Sequence, residues 1–232
     1  MPSLINRPFI FDLIPGRSFI EYLVSKDIQV YLLDWGIPGP TESHLKFEDY
    51  IFYFLHESIE TIKSIHTRSK IPILGYCIGG TLSMVYTGLF PENISSLINL
   101  ASPADFSSGG ILRKFVDESN IDIEKIVSAE GNIPPRFMYL VFSMLRPMSR
   151  TTAFRFYLER KEELDFNIFH RAMEFWTSYN IPFPGNFGIT YINDFYKKNK
   201  LHKKELVYNG RKVNLGLFKG HFLNIYSNNG NL

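Results

Sequence analysis

The sequence predicts an α/β fold on a mostly parallel sheet, with a long helical insertion before its last strand. Short, almost wholly apolar runs alternate with stretches of helical spacing over the first hundred residues. That is the rhythm of a parallel sheet covered on both faces. From about Pro103 the rhythm gives way to aromatic-rich helical patterns. Near residue 215 strand-like apolar character returns. The predicted division is a core over 1–103, a helical cap over 104–214 and a returning core strand over 215–232.

In chain order, IQVYLLDW (28–35) is β-branched, aromatic and nearly free of charge, which predicts a strand buried on both faces. Residues 45–68 place Leu45, Phe47, Tyr50, Ile51, Phe54, Leu55, Ile59 and Ile62 at helical spacing. PILGYC (72–77) is a short strand, and the helix TLSMVYTGLF follows at once and stops at Pro91. SSLINLAS (95–102) is the next strand. In the cap, RFMYLVFSML, FRFYLERKEEL, NIFHRAMEFW and INDFYKKNKL read as helices, and IPFPGN (181–186) as a turn. LGLFKGHFLNIYS (215–227) returns to the sheet.

Composition sets limits. In 232 residues, 45% are hydrophobic, enough for a real core, and 25 basic against 23 acidic residues create no field for nucleic acid. The single cysteine excludes an intramolecular disulfide and fits a reducing compartment. The first 14 residues lack the features of a signal peptide, and FMYLVFSML (137–145) is too short to span a bilayer, so a cytoplasmic protein is expected. There is no phosphate-binding G-x-x-x-x-G-K-[ST], no H-E-x-x-H and no metal-ligand cluster, so no cofactor and no metal are expected.

The chemistry concentrates at G-Y-C-I-G-G (75–80), where the lone cysteine falls between a predicted strand and a predicted helix. This is the context of a nucleophile elbow, the G-x-S-x-G turn of α/β-hydrolases, with Cys77 in place of serine. On so tight a turn, side chains at Gly75 and Gly79 would collide, and Gly80 lets the helix start close against the sheet. The helix N-terminus favours a thiolate, and the Ile78 N–H can point at a developing oxyanion. A buried, inert cysteine is the plain alternative, outweighed by the flanking glycines. Sulfur suits acyl transfer from a coenzyme A thioester, because thioester exchange keeps the acyl group activated towards an alcohol. The elbow also fits a small hydrolase of the dienelactone hydrolase type.

INRPFIFDLIPGRSFIEYLVSKDIQVYLLDWGIPGP (5–40) resembles polyhydroxyalkanoate synthases, most of all the short-chain type that works with a second, non-catalytic subunit. The resemblance continues through GYCIGGTL, INLASPADF (98–106) and WTSYNIPFPGNFGITYINDFYKKNKLHKKELVYNGRKVNL (176–215). It implies a partial α/β-hydrolase fold and polymerisation of (R)-3-hydroxyacyl-CoA into polyester at granules. Cys77 would carry the growing polyester chain, Ile78 N–H would be one oxyanion donor and the Ile5–Asn6 loop would supply another. It also implies a catalytic Asp and His, which this chain does not supply where the family has them. LNIYSNNGNL resembles the strand and turn that deliver the Asp, and Gly230 and Asn231 occupy those places. The expectation is therefore a synthase incomplete at both ends, without its first strands at one and without its last strand, catalytic Asp and catalytic His at the other, and inactive as written.

Substitutes are unconvincing by position. His221 lies near the start of its strand, far from the end where the nucleophile sits. His44 is on the correct side of the sheet, whereas His56, His66, His170 and His202 read as solvated surface residues. Asp34 and Asp105 match family positions without an assigned catalytic role. Two further functions stay open, a cysteine hydrolase of esters or lactones and a non-catalytic relative. The latter would hold a partner subunit or granule through Phe137, Tyr139, Phe142, Phe154, Phe156 and Phe175, which otherwise form the buried side of cap helices.

Overall fold

The computed structural model describes residues 1–107, 116, 122–145 and 149–226. A hairpin of β1 (Asp12–Ile14) and β2 (Arg17–Ser18) leads into α1 (Phe19–Val24), capped by the Ser18 hydroxyl on the Glu21 N–H. Helical structure runs from Phe47 to His66, with a π-helical stretch over Tyr50–Leu55 ahead of α2 (His56–His66). Then come β3 (Ile71–Tyr76), α3 (Ile78–Leu89) and β4 (Ile94–Leu100). The helical segment holds α4 (Ile123–Glu130), α5 (Pro135–Leu145), α6 (Ser149–Arg160), α7 (Leu164–Ser178) and α8 (Gly185–Thr190), the last running into a π-helical turn over Tyr191–Lys197. A second hairpin, β5 (Val207–Tyr208) with β6 (Arg211–Lys212), precedes β7 (His221–Ile225).

The central sheet is parallel, in the order β3-β4-β7, with Tyr76, Leu100 and Ile225 in register at its C-terminal edge. Parallel strands need crossovers, and α3 and the helical segment supply them. Every residue of α3 is buried, as its apolar composition requires of a helix enclosed on all sides. It packs on β3 and β4, on the π-helical stretch, and on residues 213–217, where the Asn214 N–H bonds the Gly88 carbonyl at 2.9 Å.

Much of the aromatic content is core. Phe47 is fully buried, with the rings of Phe187, Phe195 and Tyr208 at 4.9, 5.0 and 5.4 Å from its own. Phe183, Phe187, Phe195 and Tyr208, all late in the 104–214 segment, therefore share one core with α3 and β3.

The strand expected at 28–35 does not form. A strand needs a partner, and the free side of β3 is taken by the first residue of the chain. The Tyr76 N–H bonds the Met1 carbonyl at 3.0 Å, and the Met1 ammonium bonds the Leu74 carbonyl at 2.6 Å. Leu33 and Trp35 still pack on the core, with the Trp35 indole N–H on the Pro2 carbonyl at 3.2 Å. Ile28, Tyr31 and Leu32 are exposed, so a run as apolar as a central strand stands outside the sheet. All five residues of β7 are exposed as well.

The cap aromatics divide. Phe137 packs against the core, whereas Tyr139, Phe154, Phe156 and Phe175 are exposed, Phe154 at 62%. The expected burial of these helices is corrected for those four, and the Phe142 side chain lies outside the described ones. Among the described residues no helix is long and apolar enough to cross a membrane.

Candidate active site

Cys77 stands between the last residue of β3 and the first of α3, at φ 54° and ψ −125°. A side chain at this positive φ is strained, and the surrounding hydrogen bonds hold it there. The Cys77 N–H bonds the Leu100 carbonyl at 3.0 Å, tying the turn to β4. Its carbonyl accepts from the Gly80 and Thr81 N–H groups at 2.9 and 3.3 Å, opening α3.

The glycines around it allow close approach rather than unusual dihedrals, since none has a positive φ. A Cβ on Gly75 would lie 2.5 Å from Gly80 Cα and 2.8 Å from the Gly79 carbonyl. On Gly79 it would lie 2.6 Å from the Met1 carbonyl, and on Gly80 it would overlap the Ser102 side chain. Sequence spacing put α3 hard against β3 and β4. Only the structure adds that residues 1 and 2 press on the elbow from the other side.

Cys77 is half-buried, and its thiol is pushed above its usual pKa. Desolvation is the larger cause; the Ile78 N–H and the Ser3 hydroxyl act the other way. The Ile78 N–H, the first of α3, thus favours the thiolate, and desolvation outweighs it. Aromatic residues of the late helical segment close the site. Burial pushes the Tyr191 and Tyr196 phenols above their ordinary value, and the charge of the nearby Cys77 raises both further. The Tyr191 hydroxyl lies 3.4 Å from Thr81 Oγ1, and the Phe106 ring stands 4.9 Å from that of Tyr196. Tyr76, beside the cysteine, is raised to about 12 by burial. All three phenols are therefore neutral near pH 7 and can donate hydrogen bonds.

Asn6 is fastened to Asn180, side chain to side chain at 2.9 Å, and the Ile181 N–H bonds the Ile5 carbonyl at 3.0 Å. His221 is the first residue of β7, opposite Ser96, four steps of about 3.3 Å from Ile225 at the C-terminal edge. His44 is exposed, and its carbonyl accepts from the Asn186 amide at 3.2 Å. His56 is no solvated surface residue: it bonds the buried Tyr86 hydroxyl at 3.0 Å and stacks on Phe90 at 4.6 Å. His66 meets the Tyr31 hydroxyl at 2.6 Å, and His170 packs on Tyr157 at 4.7 Å.

Asp34 pairs with Arg7 at 3.1 Å. Asp105 Oδ1 accepts from the Ser107 hydroxyl at 2.6 Å, the Ser107 N–H at 2.9 Å and the Asn199 amide at 2.7 Å. Those bonds hold its carboxyl at about 2, and His202 lies 3.7 Å from its other oxygen. Gly230 and Asn231 lie outside the described residues. Among the described residues, no imidazole or carboxylate is among the groups that shift the Cys77 thiol, and no three His, Cys, Asp or Glu side chains group as metal ligands.

A profile of the α/β-hydrolase fold matches residues 12–198, most of the chain and the whole elbow. The chain belongs to the α/β-hydrolase fold family. This α/β-hydrolase is 34% identical to the poly(3-hydroxyalkanoate) polymerase subunit PhaC of Haloferax mediterranei, over 92% of its own length and 44% of that protein's. It is 34% identical to the protein of the same description from Synechocystis, over 97% of its length and 61% of the relative's. The one from Thiocystis violacea is 31% identical, over 97% of this chain and 63% of the relative. The α/β-hydrolase chain thus spans less than two thirds of each of these curated relatives.

Proposed function

We propose that this chain carries the nucleophile of a polyhydroxyalkanoate polymerase, with Cys77 as the residue that takes up the acyl group. The observation that carries the reading is the strained Cys77 at the strand–helix turn, in a chain whose relatives are named for that polymerisation. The Cys77 thiolate attacks the carbonyl carbon of an (R)-3-hydroxyacyl-CoA. A C–S bond forms to Cys77, the C–S bond to coenzyme A breaks, and coenzyme A leaves with the proton given up by the thiol. The hydroxyl of a further unit then attacks the Cys77 thioester: a C–O bond forms, the C–S bond to Cys77 breaks, and the hydroxyl's proton returns the sulfur to the thiol. The Ile78 N–H serves the oxyanion in both steps, with the Ile5–Asn6 loop as the second donor, while Gly75, Gly79 and Gly80 permit the turn.

Because desolvation raises the thiol, a general base must remove its proton, so acylation by this chain alone is slow. The exposed Phe154, Phe156 and Phe175 support a second role, a surface for a partner subunit or for the polyester granule.

Intact-mass measurement after incubation with a 3-hydroxyacyl-CoA tests the first reading. One hydroxyacyl group on the native chain and none on Cys77→Ala is expected. An equal adduct on the Cys77→Ala chain, or steady hydrolysis of simple esters with indifference to the CoA substrate, overturns it.

A further inference from the structure

We infer that Tyr191 is a positioning residue for the oxyanion donor: its hydroxyl holds Thr81, Thr81 holds the Cys77 carbonyl, and that carbonyl aims the Ile78 N–H. This rests on the reading of Cys77 as the nucleophile.

The Cys77 carbonyl and the Ile78 N–H belong to one planar trans peptide, so they point in opposite directions and turn together. The carbonyl accepts from the Gly80 N–H at 2.9 Å and from the Thr81 N–H at 3.3 Å, in the first turn of α3. Ile78 is the first residue of that helix, so its N–H has no acceptor within the helix. Whatever fixes the carbonyl therefore sets where the N–H meets a developing oxyanion.

Thr81 is itself fixed by its side chain. Its Oγ1 donates to the Pro103 carbonyl at 3.1 Å, just beyond β4, and lies 3.4 Å from the Tyr191 hydroxyl. The residue is fully buried, out of reach of bulk water. A threonine hydroxyl has one proton, and a carbonyl can only accept. That proton is spent on Pro103, so the phenol is the donor to Thr81. Burial keeps the phenol protonated, well above its ordinary pKa. Tyr191 is 3% exposed, and its ring packs on Phe195 at 5.2 Å, Phe106 at 5.8 Å and Phe187 at 5.9 Å, which leaves the hydroxyl little freedom. The late helical segment thus reaches the elbow through one phenol, 110 residues along the chain from Thr81.

Acylation and alkylation of Cys77 separate the aim of the N–H from the reactivity of the sulfur. When the thiolate attacks p-nitrophenyl acetate, a C–S bond forms, the carbonyl oxygen passes through an oxyanion, and the C–O bond breaks to release p-nitrophenolate. With iodoacetamide the thiolate displaces iodide from a saturated carbon, and no oxyanion forms. Both reactions draw on the same thiolate, so its fraction cancels in the ratio of their rates. The chain has a single cysteine, so both rates read this thiol once the Cys77→Ala background is subtracted.

The ratio is measured for the native chain, Tyr191→Phe, Thr81→Val, Thr81→Ser and the double variant Thr81→Val/Tyr191→Phe, with a thermal melt of each. Removing an oxyanion donor outright costs about 10²–10³ in rate, so one that stays but aims less well should cost roughly tenfold. That drop is expected for Tyr191→Phe and for Thr81→Val, whereas Thr81→Ser keeps the hydroxyl and the native ratio. The double variant should fall no further than the lower single one, because the two hydroxyls act in series. Tyr191→Phe strands no buried proton, so it carries the test even where Thr81→Val fails to fold. A native ratio in Tyr191→Phe overturns the inference. So do two rates that fall together with the melting temperature, which marks a merely structural tyrosine, and so do additive losses in the double variant. A lowered ratio in a chain that takes no acyl group from a 3-hydroxyacyl-CoA leaves Tyr191 in place and removes the polymerase reading. A native ratio no higher than that of N-acetylcysteine overturns both, because no oxyanion donor then serves Cys77.

Discussion

Gly80→Ala measures how closely the elbow is fitted. A Cβ at position 80 overlaps the Ser102 side chain and lies 3.0 Å from the Gly75 carbonyl oxygen. Rotating Ser102 does not clear the overlap, because its Cβ is involved as well as its hydroxyl. That hydroxyl bonds the Gly75 and Leu100 carbonyls at 3.2 and 3.1 Å, and one of these bonds is lost, about 1 kcal/mol. The clash that remains with the Ser102 Cβ also pushes α3 off the sheet. Because α3 is buried along its whole length, any shift opens a gap elsewhere, and overpacking of this kind costs roughly 1–3 kcal/mol. Alanine recovers about 1 kcal/mol of helix propensity over glycine. The net is a destabilisation of about 2 kcal/mol, which lowers the melting temperature by roughly 4–8 °C in a domain of this size. Differential scanning calorimetry of native, Gly80→Ala, Ser102→Gly and the double variant gives the coupling between the two sites. The double variant should recover at least half of the Gly80→Ala loss, since it lacks the nearest atoms. A Gly80→Ala chain that melts at or above the native one, or a coupling of zero, would falsify this account of the elbow.

Two further outcomes follow from the same geometry. Cys77→Gly should melt about 2–4 °C above Cys77→Ala, because glycine releases roughly 1–3 kcal/mol of positive-φ strain and loses part of it to unfolded-state entropy; equal melting temperatures would mean the turn stores no strain. Asp105, held at about 2 by Ser107 and Asn199, contributes stability above the unfolded carboxyl value near 3.8 and loses it as pH falls towards 2. Asp105→Asn should therefore flatten the acid limb of the melting temperature between pH 4 and 2, and an unchanged slope in that interval counts against the bonding described.

The sequence by itself determined the strand–turn–helix at residues 71–89, because glycines at 75, 79 and 80 around a lone cysteine serve few other arrangements. It determined the pairing of the two strands that flank α3, and the helical character of Pro135–Leu145, Ser149–Arg160 and Leu164–Ser178, where periodicity is a local property. Burial is not local. IQVYLLDW has the composition of a central strand, yet hydrophobicity does not name a partner, and residue 1 holds the place beside β3. The same limit hid His56, whose role depends on Tyr86 thirty residues away. The thiol's raised pKa is likewise a tertiary quantity. A helix N-terminus can be read from spacing, but the desolvation that outweighs it comes from burial by the folded chain.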